Sequence, residues 1–275
     1  MFLNCNGKLL DLSSPVVMGI VNVTPDSFFS GSRKTDTPEI VKTCEAMLQD
    51  GASILDIGGY SSRPGATVVE ESEENRRVVT AIKAVIKAFP EAVISVDTFR
   101  SSVASAALDE GAAIVNDISA GEDDTEMLHL VARRQVPFIM MHKRGNPQTM
   151  SSLTQYNNVV LDIMDYFIQR LQLTQQLGIH DVVIDPGFGF AKTMEQNYKL
   201  LGGLSTLALL QKPILAGISR KQMLRKLLDI TTEDALNATS IANTIALIKG
   251  ASILRVHDVK EAVQCIKIVQ AIGAE

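Results

Sequence analysis

The chain has 275 residues, of which 46% are hydrophobic and 21% charged, and its formal net charge at pH 7 is −5. This length suits one large α/β domain, and the net negative charge argues against a nucleic-acid-binding protein, which needs a basic face. The N-terminal residues show no secretory signal and no apolar run could cross a bilayer, so we expect a cytoplasmic protein with no membrane or nucleic-acid partner.

Strand and helix patterns alternate along the chain. Three times a helical pattern ends in Gly-Ala and leads into a short apolar run, at Gly51, Gly111 and Gly250. Such runs are typical of strands that are buried on both faces of a parallel sheet. Weaker runs fill the gaps and begin at Val16, Val93, Phe138, Val182 and Ile214. About eight strand–helix units without a linker predict a single domain over residues 1–275, folded as a closed (β/α)₈ TIM barrel. An open doubly wound sheet is the alternative, and the absence of a glycine-rich dinucleotide fingerprint weakens it.

Two strand-to-helix connections are long, about Val23 to Asp36 and Gly58 to Val69. Connections that follow strands lie on the catalytic face of a barrel, where long loops often act as lids. The acidic run Glu70–Glu74 after the second connection predicts a solvated first helical turn, and we expect Arg76 and Arg77 on the same surface.

Polar residues close nearly every predicted strand, and their side chains should converge on one face of the barrel. They are Asn22, Asp56, Asp97, Asn116, His142, Asp185, Lys221, Arg255 and His257. The carboxylates and amide suit a flat heterocycle with N–H donors, whereas the cationic groups and Arg63 suit an anion. Asn22 offers an oxygen to a hard cation such as Mg²⁺. A pterin carrying pyrophosphate fits both halves, and so do other nitrogen heterocycles that bear phosphate.

Seven motifs narrow this choice, namely Gly19–Phe28, Asp56–Gly65, Ser95–Thr98, Val115–Ile118, Asp185–Phe190, Gly217–Lys221 and Arg255–Asp258. Together and in this order they resemble the signatures of the dihydropteroate synthases. The resemblance implies a transferase of folate biosynthesis that condenses a dihydropterin pyrophosphate with 4-aminobenzoate, with sulfonamides as competitors. It also implies Mg²⁺ held by Asn22 and a homodimer formed through helices such as Ala238 to Ile248.

The resemblance assigns roles residue by residue. The implied pterin site is Asp97, Asn116, Ile118, Met140, Asp185, Lys221 and Arg255. The implied pyrophosphate site is Asn22, Ser62, Arg63, Arg255 and His257. The implied 4-aminobenzoate site is Phe28, Ser62, Arg63, Pro64, Gly189, Phe190, Ser219 and Lys221. The implied catalytic residues are Asp97, Arg63, Lys221, Arg255 and His257.

Two positions depart from the family signature, which more often reads Gly-Gly-Glu-Ser-Thr-Arg-Pro-Gly. Tyr60 stands in place of the acid and Ser62 in place of the threonine. A pterin-dependent methyl-transfer domain is the nearest alternative, although such barrels do not need a Ser-Arg-Pro-Gly loop or an Arg-x-His anion clamp. A non-catalytic pterin or phosphate sensor is the other. His142 is expected to bond loop backbone rather than substrate.

Overall fold

The computed structural model describes residues 1–23, 37–60, 69–146 and 148–273. The strands are β1 (Phe2–Cys5), β2 (Lys8–Asp11), β3 (Val16–Asn22), β4 (Ile54–Gly58), β5 (Ile94–Asp97), β6 (Ile114–Asp117), β7 (Phe138–Met141), β8 (Val182–Asp185), β9 (Leu215–Ala216) and β10 (Ile253–Val256). The α-helices are α1 (Thr37–Gln49), α2 (Glu71–Ala88), α3 (Ser101–Asp109), α4 (Glu126–Arg134), α5 (Val159–Gln176), α6 (Met194–Gly202), α7 (Gln222–Leu228), α8 (Leu236–Ile248) and α9 (Val259–Ile272). Short 3-10 helices span Met150–Ser152, Leu204–Leu210 and Glu233–Ala235.

Strands β3 to β10 form one parallel sheet in the order β8-β7-β6-β5-β4-β3-β10-β9. A parallel bridge between Ile184 and Ile214 joins its two ends, and the Ile184 N–H donates to the Pro213 carbonyl over 3.0 Å. The sheet is therefore closed, which confirms the predicted (β/α)₈ barrel. No helix in the described ranges is long and apolar enough to cross a membrane.

Side chains alternate between the barrel interior and the helix layer, because successive residues of a strand point to opposite faces. One interior layer is apolar and near the N-terminal ends of the strands. It contains Met18, Ile54, Ile114, Ile139, Val183, Leu215 and Ile253. The intervening strand residues, such as Leu55 and Val115, pack in the larger cluster with the helices. Two residues beyond each interior apolar position, the strand reaches the C-terminal mouth of the barrel.

An N-terminal hairpin, which the sequence analysis did not predict, closes the opposite end. β1 pairs antiparallel with β2, and Asn6 (φ 53°) and Gly7 (φ 86°) form the turn between them. Two consecutive residues with positive φ are the requirement of a type I′ hairpin turn, which Asn-Gly satisfies well. Leu3 and Cys5 pack on the apolar interior layer. The hairpin therefore covers the bottom of the barrel.

The acidic start of α2 is exposed at Glu70 and Glu71, as expected, but its later residues are not all solvated. Glu74 is fully buried and Arg77 is nearly so, whereas Arg76 stays exposed. Glu74 is stable in this position because Arg100 pairs with it and the Thr98 hydroxyl donates to it over 2.6 Å. Arg77 bonds Glu73 over 2.7 Å on its own helix. Partners from another strand-to-helix loop thus bury a carboxylate that the local pattern assigns to the surface.

Candidate active site

Interior polar side chains form a layer at the C-terminal mouth of the barrel. Four of them follow an interior apolar residue by two positions, as Asp56 follows Ile54 and Arg255 follows Ile253. Asn116 and Asp185 stand in the same relation to Ile114 and Val183. Strand register places Asp97 beside Asn116 and beside Gly58. The period of two therefore brings residues that are distant in sequence to one surface.

Arg255 is the hub of this layer. Its Nε donates to Asp56 Oδ2 over 2.6 Å and its Nη2 donates to Asp97 Oδ2 over 2.5 Å. Asp56 Oδ2 also accepts the amide Nδ2 of Asn116 over 3.0 Å. This contact turns the amide oxygen of Asn116 away from Asp56, so the amide can present an acceptor to a ligand. The cluster unites one cation, two carboxylates and one amide from four different strands.

Burial and charge pairing set the protonation of this cluster. Burial raises the pKa of Asp97 above its ordinary value, while the Arg255 guanidinium opposes that rise. Burial disfavours the charge of Arg255, but Asp56 and Asp97 beside it raise its pKa above the ordinary value. Arg255 therefore stays cationic, and Asp97 is a carboxylate that takes up a proton more readily than an exposed one.

Asp185 stands at the end of β8, across the mouth from this cluster. Its Oδ1 accepts the Gly187 N–H over 2.8 Å. Burial raises the pKa of Asp185, and the hydrogen bond from Gly187 and the charges of Lys221 and Arg255 oppose the rise. The carboxylate thus lies within the electrostatic influence of both cations.

A buried lysine that the sequence analysis did not single out supports the turn after β8. Lys192 Nζ donates to the carbonyls of Gly187 and Phe190 over 2.8 and 2.9 Å, and it lies 3.1 Å from His142 Nδ1. Burial and the Lys192 charge lower the pKa of His142 to about 2, so the ring is neutral and Nδ1 accepts. His142 thus has a protein partner, although this is a lysine side chain and not the loop backbone.

The β8–α6 turn and the segment after β9 meet at one edge of the mouth. Lys221 Nζ lies 4.4 Å from the centre of the Phe190 ring. A Cβ on Gly189 would be 3.4 Å from the Lys221 side chain, so the backbone passes close to the lysine there. Ser219 Oγ is 3.0 Å from His257 Nδ1 and accepts the His257 N–H over 3.2 Å.

Arg220 fixes the relation between two of the sequence motifs. Its Nε and Nη2 donate to the two carboxylate oxygens of Asp258 over 2.9 and 2.7 Å. A bidentate pair of this kind is both strong and directional. The segment that carries Ser219 and Lys221 is thereby tied to the segment that carries Arg255 and His257.

The apolar wall differs from the prediction by one residue. Met140 lies on the outer face of β7 and belongs to the cluster that contains Val131 and Ile163 of the helices. Met141 lies on the inner face and packs with Phe190 and the partly buried Ile118. Because strands alternate, only Met141 can line the mouth. We therefore replace Met140 by Met141 in the proposed pterin wall.

A cavity of about 360 Å³ opens beside these residues. Its walls include Tyr60, Phe99, Ile118, Met150 and Phe190. Asn22, which ends β3, is half-buried on the same strand face as Met18. The predicted Phe28, Ser62, Arg63 and Pro64 lie outside the described residues.

Sequence reasoning named most members of this site but not all. Asp56 was noted as a strand end without a role, although its contacts with Arg255 and Asn116 place it at the centre. Its signal was its place after an apolar run, because Asp56 follows Ile54 and Leu55 in the sequence as Asp97 follows Val96. Lys192 gave no comparable signal, because its three contacts depend on the folding of the β8–α6 turn.

Comparison with known proteins identifies the fold and the family. Residues 18–257 match the model of a family described as pterin binding enzyme. The dihydropteroate synthase of Escherichia coli (strain K12) is 40% identical over 273 residues, which cover 98% of this chain and 96% of that protein.

Solved structures agree over the whole length. A Xanthomonas albilineans dihydropteroate synthase solved with 4-aminobenzoic acid has a TM-score of 0.93 and 38% identity and covers 100% of this chain and 98% of its own. The same enzyme in complex with 7,8-dihydropteroate has a TM-score of 0.90 and 35% identity and covers 100% of both chains. A Yersinia pestis dihydropteroate synthase in a sulfonamide complex has a TM-score of 0.94 and 38% identity, again covering 100% of both chains. Together with the family match, this full-length similarity shows that the chain belongs to the dihydropteroate synthase family of pterin-binding enzymes.

Proposed function

We propose that this chain condenses (7,8-dihydropterin-6-yl)methyl diphosphate with 4-aminobenzoate to give 7,8-dihydropteroate and pyrophosphate. The observation that carries the proposal is the layer at the barrel mouth, in which Asp97, Asn116 and Asp185 share one surface with Arg255. Carboxylate and amide acceptors of this kind fit the N–H edges of a pterin. A relative at 40% identity over 98% of the chain is named for the same activity.

The pterin binds in the mouth as a flat ring, and its N–H groups donate hydrogen bonds to the acceptors there. Arg255 bonds one oxygen of Asp97, so the other oxygen remains for an N–H group of the ring. Asn116 offers its amide oxygen, and Asp185 accepts from the opposite edge. Lys221 donates to the pterin carbonyl, with Met141 and Ile118 as apolar walls. Because Asn116 and Asp185 are buried, Asp97 is partly buried and all three are held by neighbours, the site is organised before the ligand arrives.

The reaction separates charge. The bond between the pterin methylene carbon and the diphosphate oxygen breaks, and its electron pair leaves with pyrophosphate. The arylamine nitrogen then attacks the methylene carbon and loses a proton to solvent. Asp97 stabilises the positive charge that develops on the ring, whereas Arg255, His257, Arg63 and Ser62 hold the departing anion.

Mg²⁺ is the proposed cofactor and would bind through the side-chain oxygen of Asn22. Bound there, it would neutralise part of the charge of the leaving pyrophosphate. The described ranges contain no group of three or more His, Cys, Asp or Glu side chains that could hold a metal. Mg²⁺ commonly binds through one or two protein oxygens together with substrate phosphates, so the single oxygen of Asn22 would suit it.

The 4-aminobenzoate site is proposed nearer the surface. Gly189, Phe190, Ser219 and Lys221 meet at one edge of the mouth and would contact the aromatic ring and its carboxylate. Phe28, Ser62, Arg63 and Pro64 would complete the site from the two long connections. Sulfonamides, which share the arylamine, would compete there, in line with the Yersinia pestis complex.

We propose a homodimer formed through α8. This helix leaves Ile241, Ile245 and Ile248 exposed, and α9 beside it exposes Ile268 and Ile272. Exposed apolar side chains on two packed helices suit a self-complementary contact. Sedimentation velocity at micromolar concentration should give a dimer, and a monomer at every concentration would contradict the assignment.

A single cytoplasmic domain is proposed with this function. The hairpin β1–β2 and helix α9 both pack on the same barrel, which supports a single domain over residues 1–275. All three cysteines are buried and unpaired, as is usual in a reducing compartment.

Measurement of both products tests the activity. Purified protein is mixed with the dihydropterin diphosphate and Mg²⁺, with and without 4-aminobenzoate, and pyrophosphate and dihydropteroate are quantified. We expect equal amounts of both products and only when the amine is present. Tight pterin binding without product would favour the sensor, and corrinoid-dependent methyl transfer would favour the methyl-transfer domain.

A further inference from the structure

Arg100 joins the two residues between which the segment 61–68 runs. Its Nη2 donates to the carbonyl of Val69 over 3.0 Å, at the end of that segment. Its guanidinium carbon lies 5.8 Å from the centre of the Tyr60 ring, at the start. The same guanidinium lies 5.0 Å from the Phe99 ring, which meets Tyr60 edge to face at 5.4 Å.

A buried carboxylate holds Arg100 in place. Arg100 Nη1 pairs with Glu74, whose side chain is fully buried, and the arginine side chain is itself 17% exposed. The Thr98 hydroxyl bonds the second oxygen of Glu74 over 2.6 Å and accepts the Arg100 N–H over 3.2 Å. The ion pair is therefore fixed from both sides and gives the rings of Tyr60 and Phe99 a rigid cation to pack against.

The backbone before Tyr60 is fixed as well. A Cβ on Gly59 would lie 2.9 Å from Val78 and 3.1 Å from the Glu74 side chain, so only glycine allows β4 to approach α2 this closely. Gly59 and Tyr60 on one side, and Val69 on the other, are thus both held beside α2, Val69 through the pair of Arg100 with Glu74.

We propose that Arg100 is a positioning residue for the 4-aminobenzoate and pyrophosphate contacts, acting through Tyr60 and Val69. The inference rests on the proposed function, in which Ser62, Arg63 and Pro64 act from the segment that these two residues delimit. It also accounts for Tyr60 in place of the acid of the family signature. Glu74 already neutralises Arg100, so a ring at position 60 engages the guanidinium without placing a second carboxylate beside the buried one.

Two kinds of variant test the role without leaving a buried charge unpaired. Tyr60→Leu removes the ring, and Tyr60→Phe retains it. The double variant Arg100→Met with Glu74→Gln removes cation and carboxylate together. Lys83→Met with Glu110→Gln is the matched control, because this more exposed pair also links α2 to the end of α3 but lies away from Tyr60.

We expect the disruptive variants to change KM for 4-aminobenzoate and kcat but not the Kd of a bare pterin. Tyr60→Leu and the Arg100/Glu74 double variant should each raise KM for 4-aminobenzoate and lower kcat by about tenfold or more, because small misplacements of reacting groups are costly. The Kd of a bare pterin, which binds in the barrel, should stay within about twofold, as should every constant of Tyr60→Phe and of the Lys83/Glu110 control.

Three outcomes decide the matter. Wild-type constants in both disruptive variants would overturn the proposal. A parallel loss of pterin binding and thermal stability would also overturn it, because it would show a purely structural role. Absence of dihydropteroate with the wild-type protein would instead remove the proposed function itself, and this is measured first.

Discussion

At the scale of single residues, Asp56 shows how one carboxylate organises the binding face. The same oxygen accepts Arg255 over 2.6 Å and Asn116 over 3.0 Å, and the side chain is fully buried. Asp56 therefore fixes both the orientation of the Asn116 amide, which is proposed to bind the ligand, and the position of the Arg255 guanidinium. Groups held in this way need little reorganisation during the reaction, which is the source of electrostatic catalysis.

The protonation of Asp97 predicts a pH dependence of pterin binding. Burial raises the pKa of this carboxyl in the free protein, and the ring needs the ionised form as its acceptor. Binding must then release a proton, so lower pH opposes it. The affinity for a bare pterin should be constant above the raised pKa and fall as the pH is lowered through it, by about tenfold per pH unit.

Calorimetric titration with a bare pterin from about pH 5 to about pH 8 measures this dependence. Asp97→Asn is the control, since an amide does not titrate in this range. It should bind more weakly at high pH and show a flatter profile. A profile with the same slope in both proteins would assign the proton to another group, such as Asp185.

At the scale of elements, the β8–α6 turn offers a test of backbone geometry. Gly187 has a φ of +70°, and a Cβ there would lie 2.0 Å from the His142 carbonyl oxygen. Gly178, which follows α5, has a φ of +73° and open space around the same position. An alanine would therefore have the same unfavourable φ at both positions, but its Cβ would overlap with a neighbouring atom only at position 187.

Alanine at these two positions should separate strain from overlap. Gly178→Ala should cost about 1–2 kcal/mol in the free energy of unfolding, the usual penalty of a left-handed residue with a Cβ. Gly187→Ala should cost about 3 kcal/mol or more, because the backbone of β7 must also move. Urea unfolding with unchanged m values measures both. Equal losses would mean that the turn absorbs the methyl group without moving His142.

The same elements show what the sequence could and could not reveal. The polar residue that closes each apolar run predicted Asp97, Asn116 and Asp185 at the mouth, because a strand end is a local property. The same pattern could not predict which face Met140 occupies, since β7 is apolar on both faces. It also could not predict the burial of Glu74, whose partner Arg100 comes from another loop.

Two further elements show a sequence pattern that was overlooked and one that predicts too long a strand. Asn6-Gly7 is a dipeptide typical of two-residue hairpin turns, so the sequence alone could have predicted β1 and β2. The apolar run from Ile214 to Ile218 predicts a longer strand than the observed Leu215–Ala216. Its outer residues serve other contacts, since Ile214 bridges to Ile184 and Ile218 leads into the mouth.

At the scale of the whole molecule, the two ends of the barrel carry different tasks. The C-terminal mouth holds buried and partly buried ion pairs, whereas the N-terminal end is a closed apolar layer. The hairpin is tied to that end by polar contacts as well. The Asn4 N–H donates to Asp181 over 2.7 Å, and Asn6 Nδ2 donates to the Ala112 carbonyl over 3.0 Å. In such barrels the bottom face governs stability and the top face governs chemistry.

Truncation of Leu3 tests this division. Leu3 is 2% exposed and packs on the interior layer, whereas Leu9 on the paired strand is 69% exposed. Leu3→Ala should lower the free energy of unfolding by about 2–5 kcal/mol, because it leaves a cavity in a packed core. Leu9→Ala should change it by about 0.5 kcal/mol or less. At a temperature where both variants are folded, kcat and KM for both substrates should equal those of the wild type. A raised KM in Leu3→Ala alone would show that the bottom layer also sets the geometry of the mouth, since Ile54 and Asp56 lie on one strand and a shift of the first would move the second.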